Sequence, residues 1–82
     1  MVYVTVDNDA RKLREMTQRL MLENPGCLVN EFTDPMLSAK YICNNQVDAV
    51  VTREKMRPVN GRTLKNVVHM HKPGIKFIIL DE

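Results

Sequence analysis

The segment Asp48–Gly61 reads D-A-V-V-T-R-E-K-M-R-P-V-N-G. Ala49, Val50 and Val51 form an apolar run without alternation, as in a strand covered on both faces. Pro58, Asn60 and Gly61 then mark a polar turn. The strand is expected over Val47 to Thr52. Thr52, Arg53 and Glu54 stand at its carboxyl end, where sheets of this kind build their sites. The segment therefore sets both the fold and the question: what an arginine does at that position.

Working outward, Val2 to Val6 is a β-branched and aromatic run that reads as a first strand. Asp7-Asn8-Asp9 follows, with Asp9 as the cap of a helix beginning near Ala10. Leu13, Met16, Leu20 and Met21 recur at helical spacing, and Asn24-Pro25-Gly26 ends that helix. Cys27 to Phe32 is a second strand. Asp34 and Pro35 are a strong helix start, as cap and first helical residue. The next helix offers Met36, Leu37, Ala39, Tyr41, Ile42 and Cys43 on a broad apolar face. A third helix opens at Gly61 or Arg62, with Leu64, Val67, Val68 and either Met70 or His71 inward. Ile75 to Leu80 is the fourth strand, apolar without alternation. The order β-α-β-α-β-α-β implies a parallel sheet with right-handed crossovers. The strand ends then gather Asp7, Asn8 and Asp9 with Thr52, Arg53 and Glu54, and with Asp81 and Glu82.

At 82 residues the chain makes one small domain, residues 1–82, with a thin margin of stability. Apolar content of 44% excludes disorder, and without Trp the core falls to Val, Ile, Leu and Met. A formal charge of +2 is too small to imply nucleic-acid or membrane binding. Cys27 and Cys43 lack C-x-x-C spacing and read as buried free thiols in a reducing cytosol. No signal peptide and no apolar run of transmembrane length is seen, so the expected location is cytoplasmic. No nucleophile–base pair, phosphate-cradling glycine loop or metal-ligand cluster points to an enzyme.

Taken together, these blocks resemble the receiver domain of bacterial two-component response regulators, most closely receivers that precede LytTR-type DNA-binding domains. V-D-N-D matches the family's acidic turn at Asp7 and Asn8. E-F-T-D-P-M-L-S-A, from Glu31 to Ala39, matches its second-strand phrase, and P-G-I-K-F-I-I-L its fourth strand. Asp48, Met56 and Gly61 fall in register with the family's third-strand block. The resemblance implies a CheY-like (flavodoxin-like) three-layer α/β fold with strand order 2-1-3-4. It also implies that the fifth β/α unit is missing, so the chain is a truncated receiver.

The departures carry the functional expectation. The family's phosphoacceptor aspartate falls on Arg53, its switch Thr or Ser on Asp81, the second acid on Asn8, and its proline on Arg57. A guanidinium cannot accept a phosphoryl group as a carboxylate does. Glu54 and Thr52, adjacent on the strand, face the other way. Arg53 either pairs with Asp7 where the divalent ion would sit, or turns to solvent from a decayed site. Asp7 and Asp9 retain oxygens for at most weak Mg²⁺ binding, and no cofactor is expected. Arg57, Arg62, Lys65, His69, His71 and Lys72 make the third helix basic, which reads first as a solvated face. With strand four as an apolar edge, the chain is expected to form a homodimer or a domain-swapped oligomer, or to meet a regulator or output domain. The function expected is a degenerate receiver without a phosphoacceptor, an interaction and dimerisation module in transcriptional regulation that meets DNA only indirectly. The alternatives are an atypical Mg²⁺-dependent receiver using Glu54 or Asp81, and a nucleic-acid binder using the third helix.

Overall fold

The computed structural model describes residues 1–81. In chain order it contains β1 (Val2–Val6), α1 (Ala10–Glu23), β2 (Leu28–Phe32), α2 (Pro35–Asn44), β3 (Ala49–Arg53), α3 (Gly61–His71) and β4 (Lys76–Leu80). The four strands are all parallel, in the order β2-β1-β3-β4. This is the CheY-like α/β arrangement. β1 pairs Val6 with Phe32 on one side and with Thr52 on the other, so the three strands end level with one another.

The strand period divides the sheet into two faces. Tyr3, Ala49 and Val51 pack under Met16 and Leu20 of α1. Val4, Val6 and Val50 pack against Ile42 of α2 and Leu64 and Val68 of α3. Side-chain caps set where the helices begin. Asp9 accepts the Arg11 and Lys12 N–H groups, Asp34 that of Met36, and Asn60 that of Thr63. Gly26 closes the turn after α1 with a φ of 87°, a left-handed conformation that suits glycine.

Several sequence expectations are corrected. Three strands begin later than the apolar runs suggest: β2 at Leu28 rather than Cys27, β3 at Ala49 rather than Val47, and β4 at Lys76 rather than Ile75. The residues before β3 and β4 are held in turns. Asp48 accepts the Val2 N–H with its carboxylate, and the Ile75 N–H bonds back to Lys72 O. On α1 the inward stripe is Leu13, Met16, Thr17 and Leu20, and Met21 is exposed. Thr17 takes an inward place because its hydroxyl meets that of Thr5 at 2.9 Å. On α2, Ser38, Ala39 and Ile42 face inward and Met36 and Leu37 do not. On α3 only Leu64 and Val68 of the expected set are buried; Val67, Met70 and His71 lie outside. Cys27 and Cys43 are free thiols, half-buried rather than buried.

β4 departs most from expectation. It is only partly covered on one face, because α1 packs mainly over β1 and β2; there Leu80 still packs against the cluster of Met16 and Leu20. Lys76 and Ile78 are exposed, whereas Phe77, on the opposite face, packs edge-on against the His69 ring. Among the described residues, no helix is long and apolar enough to cross a membrane.

Candidate functional site

A cavity of about 240 Å³ opens at the carboxyl ends of β1, β3 and β4, lined by Asp7, Asn8, Asp9, Lys12, Arg53, Lys55 and Leu80. Asp7 stands at the end of β1 with its side chain 5% exposed. Its Oδ2 accepts the Arg53 Nε–H at 2.9 Å, and its Oδ1 accepts the Asp9 N–H at 3.0 Å. Arg53 ends β3, keeps 18% of its side chain exposed, and reaches Asp7 at the end of the adjacent strand β1. Of the two outcomes left open for Arg53, pairing with Asp7 is the one found.

The other residues of the acidic turn have different work. Asp9 Oδ1 accepts two N–H groups at the start of α1, those of Arg11 and Lys12. Asn8 clasps two loops. Its amide donates to Thr33 O and Arg57 O, and its Oδ1 accepts the Arg57 N–H at 2.6 Å. An acid at this position could not donate those two bonds. Asn8 therefore acts here as a loop clasp, which the sequence reading did not foresee.

The neighbours of Arg53 face as the strand period requires. Thr52 is fully buried, with its hydroxyl directed at Arg53 O and the Met56 sulfur. Glu54 accepts the Arg62 N–H through Oε1, at the start of α3. Asp81 follows β4 and is exposed. Gly61 lies so close under β3 that a Cβ there would strike the Arg53 carbonyl oxygen, and its N–H donates to Glu54 O. Lys12 and Lys55, which the sequence reading did not single out, add positive charge to the cavity. Lys12 had a signal: it lies one turn into a helix capped by Asp9, where side chains lean back toward the N-terminus.

The receiver fold implies a Mg²⁺ ion at such a pocket, and the residues present do not fit one. A divalent ion needs several oxygen ligands free to converge. Here both Asp7 oxygens, Oδ1 of Asn8 and Oδ1 of Asp9 already accept protein N–H groups, and a guanidinium stands against Asp7. Among the described residues, no group of three or more His, Cys, Asp or Glu side chains converges to hold a metal.

The basic residues around α3 are partly committed to structure. His69 Nε2 lies 2.7 Å from Ile75 O, and Lys72 Nζ donates to Asn45 O.

No family model and no curated protein matches the chain. Solved structures do. The signal receiver domain of an HD domain-containing protein from Pseudomonas fluorescens Pf-5 superposes with a TM-score of 0.82 at 19% identity, over 95% of this chain and 56% of that one. A response regulator receiver domain protein from Clostridium thermocellum gives 0.80 at 22% identity, over 98% and 64%. The non-phosphorylated HemR receiver domain from Leptospira biflexa gives 0.81 at 18%, over 98% and 63%. The chain thus spans about 56–64% of the length of these receiver structures. Identities this low establish the fold: four parallel strands in the order 2-1-3-4 with three helices, shared with response-regulator receiver domains.

Proposed function

We propose that this chain is a degenerate receiver, an interaction and dimerisation module of signal transduction whose state does not depend on phosphorylation. The observation that carries this reading is the Arg53–Asp7 pair at 2.9 Å. A receiver responds to phosphorylation because a carboxylate accepts the phosphoryl group and a divalent ion neutralises it. At the position aligned with that carboxylate this chain has a permanent cation, bonded to the acid that would hold the ion. The pair supplies from within the protein the positive charge that a metal would bring. The charge balance at the strand ends is then fixed rather than switched. Glu54 does not restore the chemistry, since its carboxylate serves the start of α3. A module in one constant state suits holding a partner, and transcriptional regulation is the setting in which we place it, with contact to DNA made through that partner.

The test is chemical. The chain is incubated with acetyl phosphate and Mg²⁺, and its intact mass is measured after acid quenching. The expected result is no phosphoryl adduct under conditions that label an ordinary receiver. A stoichiometric adduct on Glu54 or Asp81 would overturn the proposal.

A further inference from the structure

α2 and α3 lie side by side on one face of the sheet, and their ring contacts show how each is turned. On α2, Ile42 points into the core, and Tyr41 leans to the side of β2, where its ring meets Phe32 at 5.3 Å between centroids. Each residue turns a helix by about 100°, so Cys43 lies on the opposite flank, toward α3. Met36, Lys40 and Cys43, spaced i, i+4 and i+7, make up that flank. On α3, Leu64 and Val68 point inward, and His69 leans to the side of β4, where its ring meets Phe77. Val67 therefore lies on the flank toward α2, in one row with Thr63 and Met70. The two rows border a groove between the helices. Both walls come from crossover helices, β2-α2-β3 and β3-α3-β4, that are complete within the described residues.

The groove joins exposed apolar side chains to positive charge. Met36, Val67 and Met70 are 54%, 41% and 80% exposed. Neither helix contains an Asp or Glu, whereas Lys40, Arg62 and Lys65 supply cations. Asp34, at the head of α2, is committed to the Met36 N–H. The groove is also tied at both ends. At the carboxyl end of the sheet, the Asn8 amide bonds Thr33 O and Arg57 O, in the loops that lead into α2 and α3. At the other end, Lys72 Nζ donates to Asn45 O, which joins the residues that cap the two helices. A groove held in this way needs little rearrangement to receive a ligand, which lowers the cost of binding. Its walls, helices of ten and eleven residues, are about 15 Å long, or roughly three turns of a partner helix.

We infer that the α2–α3 groove is the surface on which this chain holds its partner, and that the partner presents an acidic amphipathic helix. Apolar anchors at helical spacing fit beside Met36, Val67 and Met70, and methionine adapts to the shape it meets. Carboxylates on the flanks of the partner helix meet Lys40 and Arg62. A nucleic-acid backbone would use the cations and leave the apolar row without a counterpart, and no aromatic residue stands in either row for base stacking. A second copy fits less well. α1 is the helix of this chain that turns Met21 and Leu22 outward, but it carries Arg11, Lys12, Arg14 and Arg19 against Glu15 and Glu23, so it brings charge of the same sign. The inference deepens the interaction role proposed above and rests on it. The phosphate-insensitive site and the groove can fail separately.

The experiment follows labelled methionine methyl groups by NMR, on the full chain without Mg²⁺ or a phosphoryl donor. The probe is a synthetic helical peptide with Leu spaced i, i+4 and i+7 and Glu and Ala elsewhere. Its control is a twin with Lys in place of every Glu. The peptide is expected to shift the Met36 and Met70 methyl signals and to leave that of Met21, exposed on α1, in place. The lysine twin is expected to shift none of them. Lys40→Glu and Met70→Glu change exposed side chains, so the chain stays folded while affinity, read at Met36, weakens about tenfold or more. Methyl signals that stay unmoved at millimolar peptide overturn the inference, as does a lysine twin that binds equally well or a Met21 signal that moves with the others. Duplex DNA that moves Met36 and Met70 where the acidic peptide does not overturns it in favour of a nucleic-acid surface. Each of these failures leaves the phosphate-independent reading standing. Peptide binding that appears only with Mg²⁺ and beryllofluoride supports the groove and refutes the proposed function.

Discussion

Removing Arg53 should cost more than a surface ion pair is worth, and the structure sets the scale. Asp7 is 5% exposed and Arg53 18%. Exposed pairs contribute about 0–1 kcal/mol, and breaking a fully buried pair by deleting one partner costs about 3–5 kcal/mol. A hydrogen bond to a charged group is worth about 1.5–3 kcal/mol. Arg53→Met leaves Asp7 accepting the Asp9 N–H in a site that stays nearly closed. Because Arg53 reaches solvent at the mouth, the middle of these ranges applies, and we expect a loss of about 2 kcal/mol. For a domain of this size that lowers Tm by roughly 8–16 °C. Asp7→Asn should cost less, about 1 kcal/mol, since the guanidinium it abandons can hydrate. Arg53 is engaged beyond this one pair, so the single variants do not isolate it. The assay is therefore a double-mutant cycle by urea denaturation on wild type, Arg53→Met, Asp7→Asn and the double variant. The expected coupling is about 1–2 kcal/mol. Costs that add with no coupling would show that the 2.9 Å contact holds nothing in place, and the case for a fixed site would fall with it.

Asn8→Ala removes three hydrogen bonds that join the acidic turn to Thr33 and Arg57. It should lower stability by about 1–3 kcal/mol and speed amide exchange around residues 55–60, read by NMR. Asn8→Asp, nominally closer to an ordinary receiver, should not rescue it, because a carboxylate cannot donate to two carbonyls. Gly61→Ala drives a methyl group against the Arg53 carbonyl oxygen and should destabilise by about 1–3 kcal/mol in thermal melts, although alanine is the better helix former. Asn60→Ala, which only removes the α3 cap, should cost about 1 kcal/mol. A Gly61→Ala variant as stable as wild type would contradict the close approach of β3 and α3.

The element order, the parallel sheet and the helix starts at Asp9 and Asp34 were legible because each rests on a local signal: uninterrupted apolar runs, and capping side chains followed by helical spacing. Strand order came from the resemblance, since nothing in a strand's own residues names its neighbour. The inward faces of α2 and α3 were read too broadly. Met36, Leu37, Val67 and Met70 are apolar and correctly spaced, but a helix lying on a four-stranded sheet buries a narrow stripe and these residues fall outside it. At the site, Arg53 and Asp7 were placed by register and alternation. The Asn8 clasp was not legible, because both its partners are backbone groups distant in sequence and carry no residue-type signal. Glu54's bond at the start of α3 was hidden for the same reason.

The central claim, that an internal arginine has replaced a switched charge with a constant one, is tested most directly by sedimentation equilibrium. Wild type and Arg53→Asp are each measured alone and with Mg²⁺ and beryllofluoride. The account predicts a wild-type mass that the ligands leave unchanged, and an Arg53→Asp mass that shifts when both are added. A wild-type chain that changes its mass with Mg²⁺ and beryllofluoride would contradict the account.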